Sequence, residues 1–475
     1  MAKIKSRRVA DNSNGGFTTT VEYHVMHQAN VEKNSNKFFC LELQKHPDGR
    51  YRVFTHYGRL GITNVYEVRD EADGSPIYDE SIARAEFESI HNKKLRGKKD
   101  KATGERLRYV DVETPSPTVG SENIRGKTTM TKKVTKKAAN IDTSSYDPKI
   151  AKLLDQLIKE NIHNVTTHTN IKYTTNGFAT ELGPVTPEHV DKARKILDEL
   201  RKLMGKKGKA NPSNKDVQRI NSAFFSLIPK PFSMRISAND MILDANQLLA
   251  EYDVLDQLAT GVQMGSAMGG SVSQRMDALG TEIEFLEDLK EVKRIKHYIR
   301  ESKASNHRGS DVWDYDPVAI YRIKIPSERT RYEKVLKKYG NVQEVFHGSA
   351  NANCLSILKG GLIIPPSTAG HVTGRLFADG IYGANNSTKS LNYSIGYWGA
   401  SRSRYGNAFL FLADFAMGKT RHVYDTTPGG PPRGFHSIWA HRKKSGSYGG
   451  LYNDELIVYS LPQCTLKYIV EMRRR

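Results

Sequence analysis

A polar, lysine-rich stretch separates segments whose apolar residues repeat with different periods, which indicates separately folded domains. Residues 113–146 contain Thr114-Pro115-Ser116-Pro117 and the pairs Lys132-Lys133 and Lys136-Lys137 among Thr, Ser and Asn, a composition typical of a solvated linker. Contacts between these lysines and phosphate groups are the second interpretation. The chain has 475 residues, more than a single domain usually holds. The sequence therefore predicts two to four domains.

The charge of the chain favours a polyanionic partner. There are 72 Lys and Arg against 52 Asp and Glu, which gives a formal net charge of +20. Nucleic acid is the first candidate and an acidic membrane surface is the second. Simple solubility, or a basic tail without function, would also account for the excess.

Cysteine usage and hydropathy indicate the compartment. Cys40, Cys354 and Cys464 are widely separated and lack the paired spacing of a zinc site, so we expect no metal and a reducing environment. The first residues lack a secretory signal, and no run approaches the ~18 apolar residues of a membrane span. We expect a soluble intracellular protein without a membrane partner, nuclear if its host is eukaryotic.

The first part of the chain has a β-type pattern. Residues 1–18 are polar and basic and predict a flexible tail, whereas residues 19–112 contain apolar and polar residues in period-2 alternation. We predict strands at 38–43, 51–55 and 63–68, turns at Pro47-Asp48-Gly49 and Tyr57-Gly58-Arg59-Leu60-Gly61, and a helix at about 80–95.

Residues 147–300 change to the repeat of amphipathic helices. Thr186-Pro187-Glu188 has the order of an N-cap, a proline at the first helical position and an acid on the positive helix end. Gly261 to Gly280 is rich in Gly, Ser and Met and predicts a loop.

Residues 301–475 are β-rich. We predict strands at 319–323, 344–346, 408–412 and 456–459, with helical stretches near 329–339 and 351–359. No Gly-x-Gly-x-x-Gly follows a strand, which disfavours a Rossmann dinucleotide site.

Three unusual motifs in this last segment indicate a functional site. Glu455 opens the apolar run Leu456-Ile457-Val458-Tyr459, where a carboxylate is costly to bury unless something pairs or uses it. Upstream lie Val345-Phe346-His347-Gly348-Ser349 and Gly380-Ile381-Tyr382-Gly383, the latter followed by Lys389-Ser390-Leu391-Asn392-Tyr393. A site assembled from several strands of one domain would bring these residues together. An exposed acid at a strand start and structural His and Tyr residues are the alternatives.

Together these motifs resemble the catalytic domain of the poly(ADP-ribose) polymerases. That family has a His-Gly-Ser strand end, a Gly-Ile-Tyr turn, a Lys-Ser-x-Asn-Tyr helix start and a Glu that opens a late strand. This chain has all four in order between residues 315 and 475. The resemblance implies that NAD+ is the substrate and that neither a metal nor a covalent nucleophile takes part.

The resemblance also implies roles for individual residues. Glu455 matches the catalytic acid, which would bond the nicotinamide-ribose hydroxyl, and His347 matches the residue that orients the adenosine ribose. Gly348 would present its backbone N–H and C=O to the nicotinamide carboxamide, and Ser390 would donate its hydroxyl to the same group. The catalytic set is Glu455, His347 and Tyr382.

Further positions complete the implied NAD+ site. Tyr393 would stack on the nicotinamide ring, with Tyr382 as the opposite wall. Ser349 and Asn353 match positions near the ribose and adenine ends, and Lys389 matches a lysine near the catalytic acid. A surface lysine and ordinary core tyrosines are the alternatives.

The upstream segments carry two further resemblances. Residues 19–112 resemble the WGR domain, a nucleic-acid-binding module, with Tyr57 in place of the signature Trp and with Gly58 and Arg59 retained. The implied contacts to nucleic acid come from these three residues, with Tyr57 able to stack on a base or sugar; a plain hairpin turn is the alternative. Residues 147–300 resemble the all-helical regulatory domain of the same family, most clearly at Phe224-Phe225-Ser226-Leu227-Ile228-Pro229.

Three departures from the family pattern bear on function. Ile363 stands where an Arg that reaches the adenine end is often found. The chain between Asp414 and Tyr452, which shapes the acceptor site, is shorter than in typical polymerases. Asp454 lies between Tyr452-Asn453 and Glu455, where a second carboxylate would alter acceptor binding.

We therefore expect a multidomain α+β protein: a flexible tail (1–18), a small β-rich WGR-like domain (19–112), a linker (113–146), an all-α regulatory domain (147–300) and a mixed α+β transferase domain with antiparallel sheets (301–475). The predicted function is DNA-dependent transfer of ADP-ribose, as polymer, from NAD+ to acceptor proteins in the response to DNA breaks. Transfer of single ADP-ribose units to protein or nucleic-acid ends and a catalytically inactive DNA-binding scaffold are the alternatives.

Overall fold

The computed structural model describes residues 4–10, 15–30, 35–59, 65–99, 106–112, 146–174, 177–180, 183–205, 208–231, 238–364, 376–396, 406–424, 430–443 and 451–475. These residues divide into two compact units. The first holds Met1–Lys136, Thr166–Gly205 and Lys209–Leu248, and the second holds Lys137–Val165, Lys206–Gly208 and Leu249–Arg475. The predicted linker lies outside the described residues except for residue 146. Within the described ranges, no helix is both long and apolar enough to span a membrane.

A six-stranded antiparallel sheet and one helix form the N-terminal part of the first unit. Its elements are β1 (Arg7–Val9), β2 (Thr19–Asn30), β3 (Ser35–Lys45), β4 (Tyr51–Arg59), β5 (Val65–Arg69), β6 (Glu71–Ala72), β7 (Ser75–Pro76), α1 (Glu80–Arg96), β8 (Lys98–Lys99), β9 (Arg106–Leu107) and β10 (Val110–Val112). The strand order in the large sheet is β1-β5-β4-β3-β2-β10. One sheet face buries Leu41, Leu43 and Val53 against Ala83 and Phe87 of α1, as period-2 alternation requires. The three predicted strands and the helix are confirmed.

Two predictions for this segment are wrong. Arg7–Val9 does not belong to a flexible tail but pairs with β5, where Arg7 Nη2 lies 2.5 Å from Asp70 Oδ2. The turn predicted over residues 57–61 does not begin at Tyr57, because Tyr57–Arg59 are the last residues of β4; residues 60 and 61 lie outside the described residues. Cross-strand pairing with β3 extends the strand through residues whose local sequence favours a turn.

The next segment of the chain is mainly helical; its first helix lies largely in the second unit, and its other elements lie in the first. The elements in chain order are α2 (Pro148–His168), β11 (Lys172–Thr174), β12 (Gly177–Thr180), β13 (Gly183–Pro184), α3 (Pro187–Met204) and α4 (Lys215–Leu227). Thr186 caps α3 as predicted, since its side chain accepts from the His189 N–H at 3.2 Å. The three-stranded sheet β11-β12-β13 was not predicted by the helical pattern. Strand β2 packs on α4, where His27 Nδ1 lies 2.6 Å from the Ser226 carbonyl oxygen.

The loop predicted between Gly261 and Gly280 is wrong. Helix α5 (Ala245–Met264) continues past Gly261, and α6 (Val272–Leu279) follows after a short 3-10 turn. Ser271 and Gln274 form a reciprocal capping box at the start of α6, and Gly280 ends it in the left-handed conformation at φ 65°. Local capping therefore overrides a Gly- and Ser-rich composition.

Two sheets and short helices form the C-terminal part of the second unit. The elements are β14 (Glu282–Phe285), α7 (Leu289–Glu301), β15 (Tyr315–Lys324), α8 (Pro326–Tyr339), β16 (Val342–Gly348), α9 (Cys354–Gly360), β17 (Ile381–Gly383), α10 (Ser387–Ser394), β18 (Asn407–Ala416), β19 (Thr420–Val423), β20 (Ser437–Ala440), β21 (Glu455–Val458) and β22 (Cys464–Arg474). One sheet has the order β14-β15-β22-β18-β16 and the other β17-β21-β20-β19. Strand β14 pairs with β15, so this sheet contains residues from both sides of the predicted boundary at residue 301. The multidomain α+β fold class is confirmed.

The two sheets of this region meet at one pair of backbone hydrogen bonds that positions the site. The Phe346 N–H donates to the Ala384 carbonyl at 2.8 Å, and the Ala384 N–H donates to the Phe346 carbonyl at 3.0 Å. Phe346 is fully buried in the cluster that contains Leu410, Leu412 and Val470. The end of β16 is thereby held beside the end of β17.

Candidate active site

His347 lies near the end of β16 with its ring oriented by a neighbouring strand. Its Nδ1 lies 2.9 Å from the carbonyl oxygen of Tyr382 on β17. Because a carbonyl can only accept, the hydrogen must be on Nδ1, and Nε2 of the neutral ring carries the lone pair. Burial lowers the pKa of His347, although the bond to Tyr382 opposes this. The arrangement therefore holds a neutral imidazole whose Nε2 is an acceptor.

Position 348, directly after His347, accepts only glycine, because no side chain fits there. A Cβ atom added here would lie 1.8 Å from the carbonyl oxygen of Ser390. Helix α10 packs at this distance because Ser390 Oγ donates to the Phe346 carbonyl at 2.9 Å and Ser394 Oγ donates to the Phe409 carbonyl at 2.7 Å. The Ser390 proton is thus used within the protein, so donation to a carboxamide requires its hydroxyl to rotate.

Glu455 is the first residue of β21, and its side chain is buried, with 7% of the residue exposed. Lys389 Nζ donates to Glu455 Oε1 at 2.7 Å and to the carbonyl oxygens of Asn453 and Asp454 at 3.3 and 3.2 Å. Burial lowers the pKa of Lys389, and the charge of Glu455 opposes that shift. Among the described residues, none hydrogen-bonds to Glu455 Oε2, which is also buried. The site thus holds an oriented carboxylate with one oxygen left for a donor.

Tyr382 on β17 and Tyr393 on α10 both precede Glu455 in the chain. Strand β17 pairs with β21, so Tyr382 faces Ile457 and Gly383 faces Leu456. The Tyr382 hydroxyl donates to the Ala378 carbonyl at 2.6 Å. Burial, with a smaller contribution from the Glu455 charge, raises the pKa of Tyr393 to about 12. The structure therefore brings both tyrosines into the region of Glu455, and the raised pKa keeps the Tyr393 hydroxyl protonated at neutral pH.

Ser349 and Asn353 are linked to a helix that the sequence did not associate with the site. Asn353 Nδ2 donates to Ser349 Oγ at 3.1 Å, while Asn353 Oδ1 accepts from Gln257 Nε2 at 2.6 Å. Asp253 Oδ2 lies 3.4 Å from Asn353 Nδ2. Thr260, one turn further along α5, lies 3.0 Å from the Ser356 hydroxyl. The i, i+4, i+7 spacing of these polar residues of α5 was the available sequence signal, but nothing local identifies their partner.

The structure describes the surroundings of Ile363 and Asp454, two of the departures from the family pattern. Ile363 is exposed after α9, and the loop at 365–370 lies outside the described residues. The Asp454 carboxylate accepts from Trp439 Nε1 and from the Arg442 N–H, both at 2.8 Å. Burial alone raises the pKa of Asp454, but these bonds and His441 lower it overall. Asp454 therefore belongs to a cluster with Trp439 rather than to the Glu455–Lys389 pair.

The predicted nucleic-acid residues lie at one end of β4. The Tyr57 ring stacks on Phe39 at 5.3 Å between centroids, and its hydroxyl donates to Glu67 Oε1 at 2.7 Å. Burial, followed by the Glu67 bond, raises the pKa of Tyr57. Gly58 pairs with Phe38, and the side chain of Arg59 lies outside what the structure describes. The role of Tyr57, Gly58 and Arg59 in nucleic-acid binding stays a prediction. One face of the Tyr57 ring is already in contact with Phe39.

Comparison with known proteins assigns these regions to three domain families. The WGR domain matches residues 23–100, the poly(ADP-ribose) polymerase regulatory domain matches 144–268, and the poly(ADP-ribose) polymerase catalytic domain matches 289–474. The chain is therefore a multidomain protein with an ADP-ribosyltransferase catalytic domain. Residues 144–268 and 289–474 carry the regulatory and catalytic domains of the poly(ADP-ribose) polymerase family, as the sequence motifs predicted.

Individual relatives are similar at low identity. Poly [ADP-ribose] polymerase 1 of Gallus gallus is 27% identical over 326 residues, which cover 62% of this chain and 31% of that protein. Poly [ADP-ribose] polymerase 2 of Zea mays is 24% identical over 95% of this chain and 72% of its own length. Human protein mono-ADP-ribosyltransferase PARP3 is 25% identical over 90% of this chain and 78% of its own length.

Proposed function

We propose that the protein is an NAD+ ADP-ribosyltransferase that cleaves the nicotinamide–ribose bond and transfers ADP-ribose to acceptor proteins. The observation that carries this proposal is Glu455, held by Lys389 through Oε1, with Oε2 buried and without a hydrogen-bond partner among the described residues. A buried acceptor left unsatisfied costs about 1–3 kcal/mol. A ribose hydroxyl of NAD+ is a donor that would remove this cost.

The chemistry needs a carboxylate at this place. When the nicotinamide–ribose bond breaks, nicotinamide leaves with the bonding electron pair and positive charge develops on the ribose, as in glycoside hydrolysis. A preorganised negative charge lowers the energy of that transition state. The acceptor oxygen or nitrogen then forms the new bond to the ribose and loses its proton. Glu455 supplies the charge and an acceptor for the ribose hydroxyl.

The surrounding residues would bind and orient NAD+. Nε2 of His347 would accept a hydrogen bond from a hydroxyl of the adenosine ribose, because Nδ1 already donates to the Tyr382 carbonyl. Gly348 would offer backbone groups to the nicotinamide carboxamide. Tyr382 and Tyr393 would contact the nicotinamide ring and its ribose, with Ser349 and Asn353 toward the adenosine. Ser390 would join this set only after its proton leaves the Phe346 carbonyl.

Polymer formation is the first proposal for the product, and single ADP-ribose transfer is the second. Relatives named as poly- and as mono-ADP-ribosyltransferases are similar to this chain at 24% and 25% identity, so identity does not separate them. The hydrogen bond between Trp439 and Asp454 favours transfer of single ADP-ribose units. It places a hydrogen-bonded cluster next to Glu455, in the segment expected to shape the acceptor site. The length of the labelled product on a denaturing gel separates the two.

We propose that DNA ends or breaks activate the enzyme, through the WGR domain and the net charge of +20. The link from Gln257 and Asp253 to Asn353 supports regulation by the helical domain. While α5 holds Asn353, the side chain cannot turn to NAD+. DNA that favours a local opening of α5 would raise the population of the competent state. A DNA-damage response and nuclear location belong to the same proposal.

The test is transfer of labelled ADP-ribose from NAD+ by the full chain, with and without blunt-ended or nicked DNA. Wild type is compared with Glu455→Gln, which keeps the size of the side chain and removes its charge. Glu287→Gln, an exposed acid before α7, is the matched control. We expect DNA-stimulated label in wild type and control, and none in Glu455→Gln. Absence of label in all three, with DNA binding intact, would favour an inactive scaffold.

A further inference from the structure

Three side chains that are distant in sequence meet on the N-terminal sheet, away from any residue assigned above. His24 lies on β2, His91 on α1 and Asp111 on β10. Strands β2 and β10 pair directly, with Met26 opposite Asp111, and the His24 and His91 rings stack at 3.6 Å between centroids. Their ligand atoms all lie within 4.8 Å of one another. The sheet and helix thus hold two imidazoles and a carboxylate at one point.

The distances suit coordination of a single ion. Asp111 Oδ1 lies 3.0 Å from His91 Nε2 and 3.5 Å from His24 Nδ1. Zinc–nitrogen bonds of about 2.0–2.1 Å in a tetrahedron put neighbouring ligand atoms roughly 3.3 Å apart. The two rings are stacked at 12° to one another, so each must rotate out of the stack about its soft χ2 torsion before both lone pairs point at one position. The three side chains are 16% to 35% exposed, which leaves a path for an ion and water.

The outer contacts also match those of metal-binding histidines. The second nitrogen of His24, Nε2, lies 3.7 Å from Glu22 Oε1. Glu22 is in turn bonded by Arg84, which also bonds Glu80 at 2.7 Å. Metal-ligating histidines commonly direct their other nitrogen at a carboxylate, which fixes the ring. This chain of contacts orients His24 Nδ1 toward Asp111.

Metal ligation needs a neutral imidazole with a lone pair on the ligating nitrogen. An ion-paired His91 and Asp111 without metal is the competing explanation of the same contacts.

We propose that His24, His91 and Asp111 form a binding site for a divalent transition-metal ion, with Zn²⁺ the best match to two imidazoles and one carboxylate. The fourth position is open to water. The ion joins β2, α1 and β10 and so stabilises this domain. The sequence-based expectation of no metal relied on the spacing of the cysteines, which gives no information on a site built from two histidines and an aspartate of three separate elements.

The test uses the full chain, stripped with a chelator and titrated with Zn²⁺ by calorimetry. We expect one saturable equivalent in wild type. His91→Ala and Asp111→Asn should weaken binding by more than the roughly 10–100-fold that loss of an outer contact costs. His297→Ala, an exposed histidine on α7, is the matched control and should bind as wild type does.

Two further measurements keep the result decisive. Circular dichroism of the metal-free variants shows whether each one folds. Zinc K-edge absorption of the loaded wild type reports the number of imidazole ligands without any variant, and two are expected. Lack of saturable binding, binding unchanged by both substitutions, or a spectrum without imidazole ligands would overturn the proposal and leave the ion-pair explanation.

Discussion

Replacing Lys389 by Met should destabilise the catalytic region by about 3–5 kcal/mol, the usual cost of removing one partner from a buried ion pair. The pair fits that class, because the Lys389 and Glu455 side chains are only 15% and 9% exposed. Met keeps the length of the side chain, so most packing is retained. The cost comes from the Glu455 charge, which loses its 2.7 Å donor and keeps an unsatisfied second oxygen.

Hydrogen exchange by mass spectrometry of the full chain measures this effect in the right place. Peptides that contain β17 and β21 report the free energy of local opening of these strands. The measurement is therefore independent of the stability of the other domains. The exposed pair Lys324–Glu282, with side chains 56% and 60% exposed, supplies the control. Lys324→Met should change protection of β14 and β15 by about 0–1 kcal/mol.

The double variant Lys389→Met/Glu455→Gln tests the physical reason. If the cost is an uncompensated charge, neutralising Glu455 in the Lys389→Met background should restore much of the protection. The coupling between the two sites should then be on the order of 1–3 kcal/mol. Single effects that add to within about 0.5 kcal/mol would show that the ion pair is not the source of the stability and refute the reasoning.

Four other outcomes follow from contacts described above or nearby. Gln257→Ala should raise DNA-independent transferase activity roughly fivefold, since it removes one hydrogen bond of about 1 kcal/mol from the contacts between α5 and the site; an unchanged basal rate would contradict this. Gly348→Ala should destabilise β16 by at least about 1–3 kcal/mol and lower NAD+ turnover, because its Cβ overlaps the Ser390 carbonyl; exchange of β16 peptides measures it. Burial raises the pKa of Glu328 from 4.5 to about 7, so the contribution of Glu328 to stability is fully present below pH 4.5 and is lost as the pH rises to about 7, by roughly 3 kcal/mol at most; Glu328→Gln should remove this contribution to the pH dependence in exchange experiments. Arg59→Ala should reduce the slope of log affinity for duplex DNA against log salt by about 0.9 if it contacts one phosphate, and an unchanged slope would remove it from the interface.

Motifs whose residues share one strand end or one helix start could be predicted from the sequence. His347-Gly348 and Lys389-Ser390 are of this kind, because their chemistry depends on local spacing and on packing that tolerates only Gly at 348. Glu455 could be singled out because a carboxylate in an apolar strand is costly. The same local logic failed at Gly261 to Gly280, where capping of α6 decides the structure.

Contacts between distant elements could not be predicted. Nothing near Asn353 indicates that Gln257 bonds it, and nothing near His24 indicates His91 or Asp111. Such pairs are set by how a helix packs across a sheet, which one sequence does not encode locally. The pairing of Arg7–Val9 with β5 has the same origin, since an edge strand is chosen by the sheet that receives it.

The orientation of the site depends largely on main-chain oxygens. His347 is held by the carbonyl of residue 382, Ser390 by that of 346, and Lys389 by those of 453 and 454. Every amino acid supplies a carbonyl, so the side chains at 346, 453 and 454 can change over evolution without releasing these three residues. A one-residue insertion or deletion in β16, β17 or the segment before β21 shifts the carbonyls themselves. Length variation, more than substitution, is therefore the change to look for in relatives that have lost activity.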